Sequence, residues 1–248
     1  MSILNPIVSA DAFTTLDEVS NWDLAEAALA TSNRVMLSGP PGVGKTYAAQ
    51  RYALGGRECF SVTLTPESPS AESRGTYMPQ GGEFRWQDGV FVDAMRAGAR
   101  LVINEISHAS EDVLAFLYPI IESDDTRAIT LPTGETVRAA EGFQLVVTDN
   151  HSIDLLPDAL QSRIECRVEL PEPHPAVFDR LDERYREAAR VTVMLDEHDD
   201  RKASMRQWLA VSRLTNEAKL AEPVAFALAF GKGQGRMLLE SILIGESK

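Results

Sequence analysis

The residue types that could do chemistry are concentrated in one run, GPPGVGKT, at positions 39–46. Its spacing fits the phosphate loop (Walker A) pattern, in which glycines precede a lysine and a hydroxyl residue. Glycine lets successive backbone N–H groups turn towards phosphate oxygens, and the following helix adds its positive N-terminal end. We expect this run to bind a nucleoside triphosphate. The predicted ATP-binding residues are Gly39, Pro40, Pro41, Gly42, Val43, Gly44, Lys45 and Thr46.

Lys45 and Thr46 carry the reactive groups of this run. The lysine places a cation near the β- and γ-phosphates, and the threonine hydroxyl can take one position around Mg²⁺. Residues 34–38 predict the buried strand that delivers the loop. Residues 45–54 have helix-compatible composition, and two glycines then act as a stop signal. ATP and Mg²⁺ are therefore the expected cofactors.

A second candidate, Glu105, follows another hydrophobic run. Residues 99–104 predict a buried strand that ends at this carboxylate. Because ligands lie at the carboxyl ends of parallel strands, Glu105 should meet the phosphate loop if the two strands are neighbours. We expect Glu105 to orient and deprotonate the water that attacks the γ-phosphate. The alternative is a glutamate that merely ends a surface strand.

Asn104 occupies a position where ATPases usually place an aspartate that helps to hold Mg²⁺. Asparagine keeps the oxygen ligand but loses the charge. We expect hydrolysis to persist with weaker Mg²⁺ affinity, because Lys45, Thr46 and Glu105 are all present. The alternative is an inactive enzyme.

The composition bounds the class of protein. A chain of 248 residues with 44% hydrophobic and 25% charged residues can bury one good core and a smaller second one. It shows neither a long apolar run nor a basic-then-apolar start, so we expect no membrane span, no secretory signal and a cytoplasmic location. The formal charge of −13 argues against a general nucleic-acid binder. Cys59 and Cys166 fall in strand-like stretches and should be free thiols.

Local patterns predict the remaining elements. Ser20 and Asp23 favour a capping box that opens a helix through Ala30. Pro119 is a candidate kink in a predicted helix. Strands are predicted at 59–64, 143–148 and 164–170, hairpins at 75–86 and 127–139, and helices at 88–97, 110–123 and 156–163.

In this order the motifs resemble those of AAA+ ATPases, and within them the MoxR-type group with the related activators of rubisco and nitric-oxide reductase. The resemblance rests on GPPGVGKT, on LVINEISHA, on LPTGETV before FQLVVTDN, and on LPDALQSRIECRVEL, and it covers about residues 30–170. It implies an α/β fold. A phosphate-loop parallel-sheet core with helices on both faces is expected over residues 1–172, followed by a small α-helical lid over residues 173–248.

The resemblance also implies roles for two residues of the core. Asn150 matches the sensor asparagine that holds the attacking water opposite Glu105. Asp149 or Thr148 are alternatives for this role, and Asn150 could instead only turn the chain. Arg163 matches the arginine finger that reaches into the neighbouring subunit's site. A surface arginine at a helix end is the alternative.

In the lid, the family places a serine-x-arginine pattern whose arginine senses the γ-phosphate. Residues 211–214 fit it loosely, which favours Arg213, with Arg236 as a rival. The two predicted hairpins resemble inserts that touch substrate protein in relatives. Phe84 and Trp86 are then either exposed contacts or the hairpin's own hydrophobic anchor. His108 matches no functional position, and the run of four acidic residues and one histidine at 196–200 predicts a solvated bend rather than a metal site.

The expected function is a ring, with a hexamer as the first expectation, that hydrolyses ATP with Mg²⁺. As a chaperone-like activator, it would use this cycle to remodel or activate a client or adaptor protein whose identity the sequence does not contain. An arginine finger acting between subunits requires a neighbour, which favours the ring. The alternatives are an ATP-dependent assembly scaffold with negligible turnover and a DNA-processing motor of the same fold, which the acidic balance disfavours.

Overall fold

The computed structural model describes residues 19–123, 126–196 and 198–246. Its strands are β1 (Arg34–Ser38), β2 (Cys59–Thr63), β3 (Gly75–Gln80), β4 (Glu83–Asp88), β5 (Arg100–Asn104), β6 (Ala128–Thr130), β7 (Thr136–Arg138), β8 (Gln144–Asp149) and β9 (Cys166–Glu169). Its helices are α1 (Asn21–Thr31), α2 (Lys45–Arg51), α3 (Ser70–Arg74), α4 (Val90–Ala97), α5 (Glu111–Leu117), α6 (Asp158–Gln161), α7 (Pro175–Phe178), α8 (Glu183–Val193), α9 (Met205–Asn216), α10 (Glu222–Phe230) and α11 (Lys232–Glu246).

Five strands form one parallel sheet in the order β2-β5-β8-β1-β9. The strand that delivers the phosphate loop, β1, is therefore not the neighbour of β5, which ends before Glu105. Strand β8 lies between them and pairs with both. We expected Glu105 to meet the phosphate loop if β1 and β5 were neighbours. They are not neighbours, and β8 joins them.

The two faces of this sheet are covered by different helices. On one face, alternate residues such as Val35 and Val146 pack against α1 and α2. On the other face, the intervening residues, such as Met36 and Val147, pack against α4 and α5. Because neighbouring residues of a strand point to opposite faces, a near-continuous apolar strand is what a sheet covered on both sides requires. The expected α/β core with helices on both faces is confirmed.

The helices that follow β9 build their own apolar cluster. Trp208 is its largest fully buried side chain, and Tyr185, Phe226 and Phe230 pack around its ring. A helical C-terminal region after the sheet is thus confirmed. The expected boundary between residues 172 and 173 falls in the segment between β9 and α7 and stays a prediction. Residues 1–18 of the expected core lie outside the described residues.

Local expectations hold with shifted boundaries. The capping box at Ser20 is formed with Asp23, and both hairpins pair as expected. Helix α5 ends at Leu117 and not near residue 123, because Pro119 has no N–H to continue the helical hydrogen bonds. Both cysteines are free and half-buried. No helix within the described residues has the length and apolar character that crossing a membrane would need.

In the hairpin of β3 and β4, the two aromatic residues that the sequence singled out lie in different environments. Trp86 packs against the core cluster and meets Tyr77 edge to face. Phe84 lies nearer the turn and is 74% exposed. Trp86 is thus the hydrophobic anchor of the hairpin, whereas Phe84 is available for contact with another molecule.

Arg100 is a fully buried arginine that holds the end of α2. Its guanidinium donates hydrogen bonds to the carbonyls of Ala49, Tyr52 and Ala53, to the carbonyl of Leu29 in α1 and to the side chain of Gln144. Burial lowers the pKa of Arg100 to about 10. Since helix C-termini carry partial negative charge, this cation stabilises the helix that follows the phosphate loop.

Candidate active site

The phosphate loop runs from the end of β1 to the start of α2, and its backbone requires glycine. Gly39 has φ 139°, and a Cβ there would lie 2.1 Å from the carbonyl oxygen of Leu170. Gly44 has φ 111° and caps α2 without a side-chain hydrogen bond. The first N–H groups of α2 therefore have no side-chain cap and can bind phosphate oxygens.

Lys45 is the buried cation of the loop, with 6% of its surface exposed. Its Nζ donates hydrogen bonds to the carbonyls of Gly39 (2.6 Å) and Pro40 (2.9 Å) and to Oδ1 of Asn150 (2.8 Å). Burial lowers the pKa of Lys45 to about 8, although the charges of Glu105 and Asp149 oppose the shift. A bound anion would therefore favour the protonated form of Lys45.

This lowered pKa predicts that nucleotide binding takes up protons at alkaline pH. With a pKa of about 8 in the free protein, Lys45 is half deprotonated near that pH, and bound phosphates favour its charged form. The expected uptake is about half a proton per ADP at about pH 8, rising towards one at higher pH. Calorimetric titration in buffers of different ionisation enthalpy measures it. A proton count that stays at zero from pH 8 upwards would contradict the assignment.

Asn150 joins Lys45 to Glu105. Its Nδ2 donates to both carboxylate oxygens of Glu105, at 2.8 and 2.9 Å, while its Oδ1 accepts from Lys45. The other two candidates for the sensor position bond elsewhere, since Thr148 donates to Asn104 and Asp149 accepts backbone N–H groups. Glu105, the Asn150 amide and the Lys45 cation therefore form one continuous chain at the edge of the sheet.

Asn104 and Thr46 lie together beside this chain. Thr46 Oγ1 donates to Asn104 Oδ1 at 2.7 Å, and Thr148 Oγ1 donates to the same oxygen at 3.0 Å. The amide nitrogen of Asn104 donates to Ser61 Oγ and to the carbonyl of Val62, both at 3.1 Å. All hydrogen-bonding groups of this buried amide are used, which explains why an asparagine fits here.

The oxygen atoms around Thr46 fit the preference of Mg²⁺. The Thr46 proton points to Asn104, so the lone pairs of the hydroxyl remain available for a cation. Within the described ranges, no group of three or more His, Cys, Asp or Glu side chains could hold a metal by itself. A Mg²⁺ ion at this place would therefore depend on the phosphates of a bound nucleotide for further ligands, as is usual for this ion.

A cavity of about 450 Å³ opens from the phosphate loop. Its wall on the α1 and α2 side includes Trp22, Tyr52 and His174, whose rings meet edge to face. Arg180 and Arg206 line it from the helical region that follows the sheet. A cavity lined by a glycine-rich loop and by aromatic rings suits a nucleotide.

The start of α9 lies against the phosphate loop. A Cβ on Gly42 would be 3.6 Å from the Cβ of Ser204, the residue that caps α9, and Arg206 follows in the first turn. The charge of Arg206 also contributes to lowering the pKa of Lys45. Sequence reasoning missed Arg206, although residues 204–206 fit the serine-x-arginine pattern better than residues 211–214 do.

The structure does not bring the other lid candidates to the phosphate loop. Arg213 lines an adjoining cavity of about 440 Å³, which it shares with Arg180 and Arg206. Arg236 pairs with Glu240 one turn along α11, and neither residue is among the side chains that line these two cavities. The sensing role of Arg213 stays a prediction.

Arg163 lies away from its own phosphate loop. Its guanidinium bonds to Glu122 at 2.6 Å and to the carbonyl of Ala159, and it stands over the ring of Tyr118. It is not among the side chains that line the cavity at the phosphate loop of its own chain. Its role in a neighbouring subunit stays a prediction.

Together, a parallel sheet, a glycine-rich loop that leads into a helix, and a lysine joined to a strand-end carboxylate define a phosphate-loop nucleotide-binding protein. A family model, the AAA domain of the dynein-related subfamily, matches residues 34–164, just over half of the chain. The chain belongs to this family. The expected resemblance to AAA+ ATPases is thereby confirmed.

Two relatives support the narrower resemblance. The protein NorQ of Paracoccus denitrificans is 35% identical over 164 residues, which cover 63% of this chain and 59% of NorQ. The protein CbbQ of Hydrogenophilus thermoluteolus is 31% identical over 136 residues, which cover 54% of this chain and 49% of CbbQ. The matches thus span about half to three fifths of the length of these relatives.

Solved structures show the same fold at low identity. NtrX from Brucella abortus in complex with ADP superposes with a TM-score of 0.54 at 14% identity, over 93% of this chain and 66% of that one. A second NtrX structure gives the same TM-score at 16% identity. These likenesses concern the fold alone.

Proposed function

We propose that this chain is a Mg²⁺-dependent ATPase of the MoxR type that forms a ring and uses ATP hydrolysis to remodel or activate a partner protein. The observation that carries the proposal is the hydrogen-bonded chain from Lys45 through Asn150 to Glu105, beside the Thr46–Asn104 pair. The Asn150 amide bonds to both the Lys45 ammonium group and the Glu105 carboxylate, which supports the proposed roles of these residues as sensor, phosphate-binding cation and base.

Each residue has a separate task in the proposed reaction. Lys45 exchanges the carbonyls of the loop for phosphate oxygens, and Asn150 holds the attacking water near Glu105. Glu105 accepts a proton from that water as its oxygen bonds to the γ-phosphorus and the bond to ADP breaks. A Mg²⁺ ion at this place would neutralise charge on the phosphates: the Thr46 hydroxyl would bind it directly, and Asn104, whose Oδ1 already accepts two hydrogen bonds, would act by orienting that hydroxyl.

The lid contributes Arg206 rather than Arg213 to this proposal. Arg206 lines the cavity at the phosphate loop, and it follows Ser204, whose Cβ would lie 3.6 Å from a Cβ added at Gly42. A cation in the first turn of α9 would therefore bind the phosphates and couple the position of the lid to the nucleotide. Arg213 in the adjoining cavity is the alternative.

The proposed ring and partner rest on the relatives, on Arg163 and on the exposed ring of Phe84. Arg163 is free of its own site and would complete the site of a neighbouring subunit. Phe84, at the outer end of the hairpin, would contact the partner protein. We propose a hexamer in the cytoplasm, with no part for nucleic acid.

Steady-state phosphate release with ATP and Mg²⁺ tests the central proposal. We expect turnover that depends on both. Binding without release would instead favour the assembly scaffold, which the uncharged Asn104 at the proposed metal site makes the second candidate. Stimulation of release by DNA would favour the DNA-processing motor.

Restoring the charge at the proposed metal site should change the Mg²⁺ requirement. With Asn104→Asp, a carboxylate oxygen beside Thr46 should lower the Mg²⁺ concentration for half-maximal hydrolysis by about two- to tenfold, or ~0.4–1.4 kcal/mol. The other oxygen would face the Val62 carbonyl, where Asn104 now donates a hydrogen bond at 3.1 Å. The nucleotide-free variant should therefore melt at a lower temperature.

A Mg²⁺ titration of phosphate release and a melting curve check this result. Gln87→Glu, on the exposed hairpin, adds the same charge away from the site and serves as the control. An unchanged titration midpoint for Asn104→Asp would show that residue 104 does not help to hold the metal.

A further inference from the structure

Asp149 is a buried carboxylate to which the proposed reaction gives no task. It ends β8, directly before Asn150, and only 1% of its surface is exposed. Its Oδ2 accepts the backbone N–H of Ser107 at 2.7 Å, and its Oδ1 accepts the backbone N–H of His151 at 2.8 Å. It is not among the side chains that line the nucleotide cavity. Both oxygens thus accept hydrogen bonds from backbone N–H groups, one shortly after Glu105 and the other directly after Asn150.

The segment that Asp149 holds carries Glu105 in an unusual conformation. Glu105 has φ 58° and ψ 51°, in the left-handed region, and a short 3-10 turn of residues 106–108 follows it. For a residue other than glycine this conformation costs about 1–2 kcal/mol. Other contacts must therefore keep Glu105 in place.

The bond from Ser107 to Asp149 is a contact of this kind. The Ser107 hydroxyl is buried and has no hydrogen-bond partner among the described residues. The backbone N–H of Ser107 is therefore the group through which this residue bonds to the end of β8. On the other side, the His151 ring nitrogen Nδ1 lies 3.0 Å from Oδ1 of Asp149, which adds to the bond from the His151 backbone.

We propose that Asp149 is a positioning residue: by holding Ser107 and His151, its carboxylate fixes Glu105 against Asn150 in the geometry needed to activate water. The residue acts through Glu105 and does not touch the nucleotide. The expected effect of Asp149 on the rate of hydrolysis rests on the proposed ATPase function.

The ionisation of Asp149 agrees with this role. Burial acts to raise the pKa of its carboxyl, but the hydrogen bonds from the Ser107 backbone and from the backbone and ring of His151 outweigh burial, so the pKa lies below its usual value. A carboxylate that accepts several N–H bonds is held in its charged form. Asp149 is therefore an acceptor on both sides at neutral pH.

The substitution Asp149→Asn separates charge and hydrogen bonding from size. The asparagine amide has one oxygen and one nitrogen in place of two oxygens, and its nitrogen can only donate. Whichever way the amide is turned, either Ser107 or His151 loses its acceptor. We expect the turn after Glu105 to loosen while the phosphate loop, which Asp149 does not contact, stays in place.

The experiment compares hydrolysis, nucleotide binding and backbone protection in the same chain of 248 residues. For Asp149→Asn we expect kcat to fall by about ten- to a hundredfold, and the Kd for ADP to stay within about twofold. In a Glu105→Gln background, the same change should reduce kcat no further, because the residue through which Asp149 acts is already disabled. Amide hydrogen exchange over residues 105–108 should speed up, with residues 42–46 unchanged. Asp93→Asn, on an exposed position of α4, is the matched control.

Each outcome decides between positioning and a general structural role. Unchanged kcat and unchanged exchange would overturn the proposal. An equal loss of kcat in the Glu105→Gln background would mean that Asp149 acts independently of Glu105. A parallel loss of ADP affinity and faster exchange throughout the core would mean that Asp149 only stabilises the fold. If the unmodified chain releases no phosphate, the proposed ATPase function fails, and the exchange over residues 105–108 still decides whether Asp149 holds the turn.

Discussion

Glu105→Gln should slow ATP hydrolysis by about two to four orders of magnitude and leave nucleotide binding intact. Glutamine keeps the size of the side chain and an oxygen that Asn150 can bond, so the site should remain assembled. It cannot accept the proton of the attacking water, so the chemical step alone should suffer. Phosphate release under saturating ATP, together with the Kd for ADP, measures the two effects separately. Hydrolysis at the unmodified rate would remove Glu105 from the role of base.

Lys45→Ala should instead abolish tight nucleotide binding. It removes the cation at the loop and leaves the carbonyls of Gly39 and Pro40 without their donor. Lys202→Ala is the matched control, because the Nζ of Lys202 also donates to two backbone carbonyls, those of Val193 and Leu195, and none of these residues lines the cavity at the phosphate loop. Retained ADP affinity in Lys45→Ala would show that the loop backbone alone binds the phosphates.

The local parts of this site were predictable because they are close together in sequence. The phosphate loop needs only its own glycines, a lysine and the adjoining strand and helix, all within residues 34–51. Glu105 likewise follows from a hydrophobic run that ends in a carboxylate. Such patterns specify an element and the group at its end, but they do not state which strands are neighbours. The position of β8 between β1 and β5 therefore appeared only in the structure, and with it the central place of Asn150.

The two lid candidates show why a local pattern does not by itself decide between two turns of one helix. The sequence favoured Arg213, which lies in α9 about two turns after Arg206. The start of α9 is determined by the capping box of Ser204 with Gln207, and this start is what lies against the phosphate loop. Attention to the capping signal would have added Arg206 as a candidate, because the first turn of a helix is the part that can face a bound anion.

Contacts between distant segments explain the remaining gaps. The amide of Asn104 is satisfied by groups of β2, α2 and β8, and Asp149 bonds to a turn that lies 42 residues earlier. Neither set follows from spacing along the chain. The sequence could therefore identify Asn104 as unusual without explaining it, and it treated Asp149 only as an alternative to Asn150.

Two inactive variants should restore activity to each other if Arg163 acts between subunits. Arg163→Ala keeps its phosphate loop, and Lys45→Ala keeps its arginine finger. In a mixed ring, an Arg163→Ala subunit beside a Lys45→Ala subunit pairs an intact loop with an intact finger. Random mixing of equal amounts gives such a pairing at about a quarter of the interfaces, so about a quarter of the unmodified activity is the expected recovery.

The control for this experiment is a chain that carries both substitutions. Mixed with either single variant, it forms no interface that has both groups, so these mixtures should stay inactive. Subunit exchange is confirmed by the masses of the mixed assemblies. Because Arg163 bonds to Glu122 in its own chain, its removal could also disturb that chain, and an unchanged Kd for ADP in Arg163→Ala excludes this cause. A mixture that exchanges subunits and binds ADP but releases no phosphate would mean that Arg163 acts within its own subunit or that every site of the ring must be intact.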